Sequence, residues 1–131
     1  APMAGDVLQQ VLSFLELLAQ AMQALGVEKT RIVVDPGIGF GKTVAQNFTL
    51  LARQRELLAL GYPVLAGWSR KSSLGAVTGL DVDQRLQPSV AAALLAVERG
   101  ARIVRVHDVR ETVQALAVWR AMESSEAVGA P

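Results

Sequence analysis

Val7, Val11, Leu15, Leu18 and Met22 recur at intervals of three or four, the period of a helix with one apolar face. Gln9, Gln10, Ser13, Glu16, Gln20 and Gln23 interrupt the run, and Asp6 stands where an N-cap belongs. The pattern predicts an amphipathic helix over 7–25. Three short stretches then change character: 31–35 (RIVVD), 63–67 (PVLAG) and 102–107 (RIVRVH) are rich in β-branched residues. They are largely apolar rather than strictly alternating, as strands buried on both sides would be. Gly26, Gly61 and Gly100 each close a helical pattern just ahead of one of these runs, the position where a C′ glycine ends a helix. Further helices are predicted over roughly 45–60, 89–99 and 110–122, with Pro88 fitting the first turn of the second. Residues 123–131 read as a tail.

The order is thus α-β-α-β-α-β-α with short connections, which predicts parallel strands joined by right-handed crossovers. In such α/β architectures a ligand sits at the carboxyl ends of the strands. Asp35, then Ser69, Arg70 and Lys71, then Arg105 and His107 all fall at those ends. Asp35, Lys71 and His107 are also evenly spaced, one βα unit apart. This convergence of an acid, several cations and the only histidine is the main sign of a site.

Composition narrows the class. The chain has 131 residues, 51% hydrophobic and 19% charged, which favours a packed domain over disorder. That length falls well short of a complete (β/α)8 barrel of about 250 residues. The net charge of +1, without any block of like charges, gives no support for a nucleic-acid surface or a polybasic membrane anchor. The absence of cysteine excludes a disulfide framework and a thiolate metal site, and it fits a reducing cytoplasm, the expected location. The first Leu-rich segment lacks a basic residue before Lys29, so it does not read as a secretory signal, and its polar interruptions argue against a membrane span.

Three motifs carry chemistry. The first is Asp35-Pro36-Gly37-Ile38-Gly39-Phe40-Gly41-Lys42-Thr43. Its last three residues suggest a phosphate-binding P-loop, but the position that needs the first glycine of that motif holds Pro36. The better reading is a strand-end carboxylate followed by a glycine-rich turn that brings backbone close to a ligand. Asp35 there can accept two hydrogen bonds from a planar amino-amidine edge; the plainer alternative is that it only caps the turn. The second motif, Gly67-Trp68-Ser69-Arg70-Lys71-Ser72, sets adjacent cations where a strand gives way to a helix. Neighbours in sequence point different ways, so Lys71 is assigned to the site and Arg70 to structure. Gly67 is counted with the substrate-binding positions, and Ser72 with its amide could receive a carboxylate. The third, Arg105-Val106-His107-Asp108-Val109, puts Arg105 and His107 on one side of a strand, a cationic clamp for phosphate or pyrophosphate. Asp108 then reads as the cap of the last helix, with Glu111 completing a capping box. A lone histidine is more often structural, and Trp68 and Trp119 read as packing residues. One histidine without cysteine does not make a zinc site.

In this order and spacing, DPGIGFGKT at 35–43, GWSRKS at 67–72 and RVHDV at 105–109 resemble the signatures of the dihydropteroate synthases, and the similarity runs through roughly residues 31–122. The resemblance implies the C-terminal half of a TIM barrel with a pterin pocket, residues 1–122 forming the partial barrel and 123–131 a tail. It implies condensation of 6-hydroxymethyl-7,8-dihydropterin diphosphate with 4-aminobenzoate and release of pyrophosphate, with Mg2+ as cofactor. By the same resemblance, Asp35 holds the pterin's amino edge and Lys71 its carbonyl side. Arg105 stacks on the ring and, with His107, holds pyrophosphate. Phe40 and Ser72 meet 4-aminobenzoate by its ring and its carboxylate. Sulfonamide competition and a homodimer built through C-terminal helices are also implied, with no nucleic-acid or membrane partner. Gln46 and Pro88 depart from residues common in the family, outside the proposed contacts. The segments that would supply the family's magnesium-associated asparagine and further pterin contacts are not in this sequence. Three strands cannot close a barrel, so an open sheet edge and an uncovered apolar face are expected, as is the need for a complement. Two other readings remain: a non-catalytic half-barrel that binds pterin or a partner chain, and a pterin-binding methyltransferase.

Overall fold

The computed structural model describes residues 6–129. Helix α1 (Val7–Ala24) begins at Asp6, whose carboxylate accepts from the amides of Leu8 and Gln9. The stripe Val7, Leu8, Val11, Leu15 and Ala19 is buried, and it packs in one core with Ile32, Val34, Leu50, Leu51 and Leu57. Helix α2 (Val44–Ala52) opens on a capping box between Thr43 and Gln46, so Gln46, unusual for the resembled family, has a local structural task. A 3₁₀ helix (Gln54–Leu60) leads to strand β1 (Val64–Ala66). Helix α3 (Ser72–Thr78), a 3₁₀ turn (Val82–Gln84) and helix α4 (Leu86–Glu98) follow. Strand β2 (Ala101–Val104) and helix α5 (Val109–Gly129) complete the described chain. No helix among the described residues is long and apolar enough to cross a membrane.

β1 and β2 pair in parallel, with an irregularity between Val64 and Leu65. The segment expected as a first strand, 31–35, is reduced to one parallel bridge, Val34 to Val64. Lys29–Arg31 is wound as a 3₁₀ turn, so the extended part starts late. Two hydrogen bonds tie it on, from the Val34 amide to Pro63 O (2.9 Å) and from the Leu65 amide to Val34 O (2.8 Å).

Three expectations need correction. The helix over 45–60 breaks at Arg53, because Gln54 turns its side chain into the core. There its amide donates to Ala96 O (2.8 Å) and Arg99 O (3.3 Å), satisfying carbonyls at the end of α4 that the helix itself leaves unpaired. The strands are not buried on both faces. Ile32, Val34, Val64 and Ala66 face the helices, while Val33 and Ile103 remain 44% and 42% exposed, an uncovered apolar layer of the kind an unclosed barrel leaves. The last helix does not stop at 122. It continues to Gly129, and residues 130–131 of the expected tail lie outside the described residues.

Gly61 and Gly100 have φ of +83° and +98°, the left-handed conformation that lets the chain turn from helix into strand. Leu57 has no exposed surface. Leu57→Ala is expected to cost about 2–5 kcal/mol, read as a lowered midpoint in urea unfolding at unchanged slope.

Candidate active site

The three strand ends meet around one cavity of about 550 Å³, lined by Asp35, Phe40, Gly67, Ser69, Lys71, Arg105, Val106 and His107. Six of the seven residues singled out from the sequence are therefore together. Ser72 is not among the lining residues; it is exposed at the first position of α3, directly after Lys71.

Asp35 ends the first extended segment. Its Oδ1 accepts from the Gly37 amide at 2.8 Å, which fixes the turn. Its Oδ2 accepts from Arg105 Nη1 at 3.3 Å. Both side chains are partly exposed, so this ion pair contributes only about 0–1 kcal/mol. It is cheap to exchange for another donor. One oxygen of Asp35 thus caps the turn, and the other pairs with Arg105 at the cavity.

The glycine-rich loop is held by side chains from three places. Lys42 Nζ donates to Gly37 O (2.8 Å) and Phe40 O (3.0 Å). Partial burial pushes the Lys42 ammonium below its ordinary pKa, and the Asp35 carboxylate opposes that shift. Lys71 Nζ donates to Ile38 O (3.0 Å) and lies 4.5 Å from the Phe40 ring centroid, a cation–π contact. Asn47, only 1% exposed, accepts from the Gly39 amide (3.0 Å) and donates to Ser73 Oγ (2.9 Å). Phe40 itself stays largely exposed while lining the cavity.

The second strand end is a strained turn. Arg70 has φ +58°, the single positive value among the described non-glycine residues, a conformation that costs about 1–3 kcal/mol. Ser89 Oγ accepts from the Arg70 amide (2.8 Å), and Arg85 Nη1 donates to Arg70 O (3.0 Å). The Arg70 guanidinium reaches Asp108 Oδ1 at 3.1 Å. Arg70 is thus tied to α4 and the start of α5, leaving Lys71 to face the cavity. Asp108 gives its carboxylate to this pair, and Thr112 binds its backbone carbonyl at the head of α5. Trp68, 2% exposed, packs 5.0 Å from Phe48.

At the third strand end, the Arg105 amide donates to Ala66 O (3.0 Å), extending the ladder one residue past β2. The Arg105 side chain crosses directly over Gly67: a Cβ there would lie 2.2 Å from Nη2. His107 Nδ1 is 2.8 Å from Ser69 Oγ, which also accepts from the His107 amide at 3.2 Å.

Sequence reasoning placed Ser69 on the rim without giving it a task, and it missed Asn47 and Ser73. Asn47 left a trace. It shares the buried face of α2 with Leu50 and Leu51, and a polar residue on an apolar stripe demands a buried partner.

What the residues define is an α/β partial barrel whose strand ends gather one carboxylate and three cationic or imidazole groups around an open cavity. The comparisons give that class its family. Residues 1–107 match the model of the pterin-binding enzymes, and the chain belongs to that family. It is 48% identical over 120 residues to a dihydropteroate synthase of Haemophilus influenzae, covering 92% of this chain and 44% of that protein. The dihydropteroate synthase of Xanthomonas albilineans, solved in complex with 7,8-dihydropteroate, superposes with a TM-score of 0.92 at 47% identity, covering 99% of this chain and 48% of the other. With 4-aminobenzoic acid the same enzyme gives 0.93 at 48% identity, covering 100% and 46%. The chain spans about half the length of the relatives it matches, and it corresponds to their C-terminal part. The fold is accordingly about half of a TIM barrel.

Proposed function

We propose that this chain supplies the C-terminal half of a dihydropteroate synthase site, joining 6-hydroxymethyl-7,8-dihydropterin diphosphate to 4-aminobenzoate. The observation that carries this reading is the gathering of Asp35, Lys71, Arg105 and His107 on one cavity. The relatives act on, or were solved with, ligands that fit such a rim.

Asp35 Oδ2 accepts from the pterin's amino edge, taking those donors in place of Arg105. Lys71 Nζ turns from Ile38 O toward the pterin carbonyl. Arg105, released, lies over the pterin ring and with His107 receives the diphosphate. The bond from the pterin methylene carbon to the diphosphate oxygen breaks, its electron pair leaving with pyrophosphate. The 4-aminobenzoate nitrogen then bonds to that carbon and loses a proton. Negative charge builds on the departing oxygen, so donors aimed at it stabilise the transition state more than the ground state. Phe40 packs on the 4-aminobenzoate ring, and Ser72 receives its carboxylate from the lip of the cavity. Sulfonamides, which share that ring and an anionic head, would compete there.

Among the described residues no group of three His, Asp or Glu side chains could hold a metal ion. No step here runs through the Mg2+ that the resemblance implies. A homodimer through α5, whose Val113, Val118 and Met122 are exposed, and a cytoplasmic location belong to the same reading.

The test is pyrophosphate release, measured with the chain alone and with the chain fused behind the N-terminal half of the Haemophilus influenzae relative. Release by the fusion that depends on both substrates is expected. His107→Ala should lower its kcat/KM by about 10²–10³-fold, the usual loss for one transition-state donor, and Lys71→Ala should lower it through loss of the contact that orients the pterin. Saturable pterin binding without release would mean a non-catalytic half-barrel. The methyltransferase alternative has no use for the Arg105 and His107 clamp, since methyl transfer frees no pyrophosphate.

A further inference from the structure

We propose that Ser69 is a positioning residue that keeps a hydrogen on Nε2 of His107, the ring nitrogen away from Ser69, as the donor presented to the departing diphosphate. The proposal rests on the reading of His107 as an anion-binding group.

Ser69 is 9% exposed, and its hydroxyl has one hydrogen and two lone pairs to place. One lone pair takes the His107 backbone amide at 3.2 Å. The other close partner is His107 Nδ1 at 2.8 Å. In a neutral ring, only one nitrogen carries hydrogen. If that were Nδ1, Ser69 Oγ would accept twice and its own hydrogen would have no protein acceptor among the described contacts. The opposite arrangement satisfies every group: the amide donates to Oγ, Oγ donates to Nδ1, and Nε2 carries the hydrogen. In an imidazolium both nitrogens are protonated, so Nε2–H is present again. The choice of tautomer therefore arises only in the neutral ring, where the hydroxyl donates to Nδ1.

The consequence is electrostatic. A bare Nε2 would aim a lone pair at diphosphate oxygens, whereas Nε2–H donates to them. The charged groups around the ring are Arg105 on its own strand end, Lys71 and Arg70 on the Ser69 turn, Asp108 next in the chain, and Asp35 on the first strand end. None of them hydrogen-bonds the imidazole among the described contacts; Arg70 pairs with Asp108 Oδ1, and Asp108 Oδ2 is buried without a hydrogen-bond partner. Ser69 alone therefore selects the tautomer. It can do so because the Arg70 turn, braced by Ser89 and Arg85, follows directly on Ser69 and holds the hydroxyl beside Nδ1.

Two-bond proton–nitrogen correlation on nitrogen-15-labelled protein reads the tautomer directly. The His107 ring is assigned by its disappearance in His107→Gln. At a pH of about 8, above the range where an ordinary imidazole gains its second proton, Nε2 should resonate as a protonated nitrogen and Nδ1 as a bare one. Ser69→Ala should move both toward averaged positions as the two tautomers interchange, and Ser69→Thr, which keeps the hydroxyl, should restore the split. A protonated Nδ1 in the parent protein would overturn the proposal, and so would shifts unchanged in Ser69→Ala. Should that variant fail to fold, the parent spectrum decides alone. Inorganic pyrophosphate then separates the two layers of the reading. A ring with Nε2–H that does not respond to it would overturn the anion-binding role and the purpose given to Ser69. A ring with Nδ1–H that does respond would overturn only the Ser69 assignment.

Discussion

Arg105→Ala should lower kcat/KM for pyrophosphate release by about 10²–10³-fold and leave thermal unfolding nearly unchanged. The two halves of this expectation come from different observations. The Arg105 side chain is 55% exposed and makes one ion pair, with a carboxylate that is itself 36% exposed. An exposed pair of that kind adds little to stability. Its backbone amide, which does hold the sheet through Ala66 O, survives the substitution. The loss falls on chemistry, because in the proposed role Arg105 is both the planar cation over the pterin and a donor to pyrophosphate. Arg105→Lys keeps the charge but not the flat guanidinium, so it should recover only part of the rate. Steady-state kinetics beside a melting curve would decide the matter. A fall in melting temperature as large as that of Leu57→Ala would show that Arg105 holds the fold instead.

Gly67→Ala is expected to reproduce most of that loss through a single methyl group. A Cβ at position 67 would sit 2.2 Å from Arg105 Nη2 and 2.8 Å from Cζ, so the guanidinium cannot keep its place above Asp35. The backbone raises no objection, since Gly67 is not among the glycines with positive φ. The clash is with the far end of a flexible, largely exposed side chain, so Arg105 swings aside and stability should change less than activity. Activity should fall at least 10-fold by the loss of oriented contact. The informative measurement is the double variant. If Gly67 acts only through Arg105, Gly67→Ala with Arg105→Ala will be no slower than Arg105→Ala alone. Additive losses would mean that the methyl group blocks the substrate itself.

The site was more legible in the sequence than the sheet, and the reason is locality. Asp35, Lys71, Arg105 and His107 could be placed because a strand end is marked by its own neighbours: an apolar run before it, glycine or a helix cap after it. Asp6 and the three glycines that close helices were readable on the same ground. What failed depended on distant partners. The break at Arg53 follows from Gln54 reaching carbonyls 42 and 45 residues away, which no local period reveals. The thinning of 31–35 to a single bridge reflects a strand with a neighbour on only one side. Val33 and Ile103 looked like buried strand residues because their sequence anticipates a closed barrel. The end of α5 was misplaced because Glu123, Ser124, Ser125 and Glu126 are exposed and leave no apolar stripe. Nothing described here marks residue 122 as a boundary between the barrel and a tail, so that division stays a proposal. Ser69 and Asn47 were passed over because their work lies in contacts with His107 and with Gly39 and Ser73, across turns the sequence does not join. Ser72, read as part of the site from its motif, is exposed and is not among the residues that line the cavity.

The central claim is that Asp35 receives the pterin and Arg105 gives way to it. A crystal structure of the protein with 7,8-dihydropteroate tests that most directly. The account predicts the pterin's amino edge within hydrogen-bonding distance of Asp35, the Asp35–Arg105 pair broken, and the guanidinium over the pterin ring. A pterin bound elsewhere, with that ion pair intact, would contradict it.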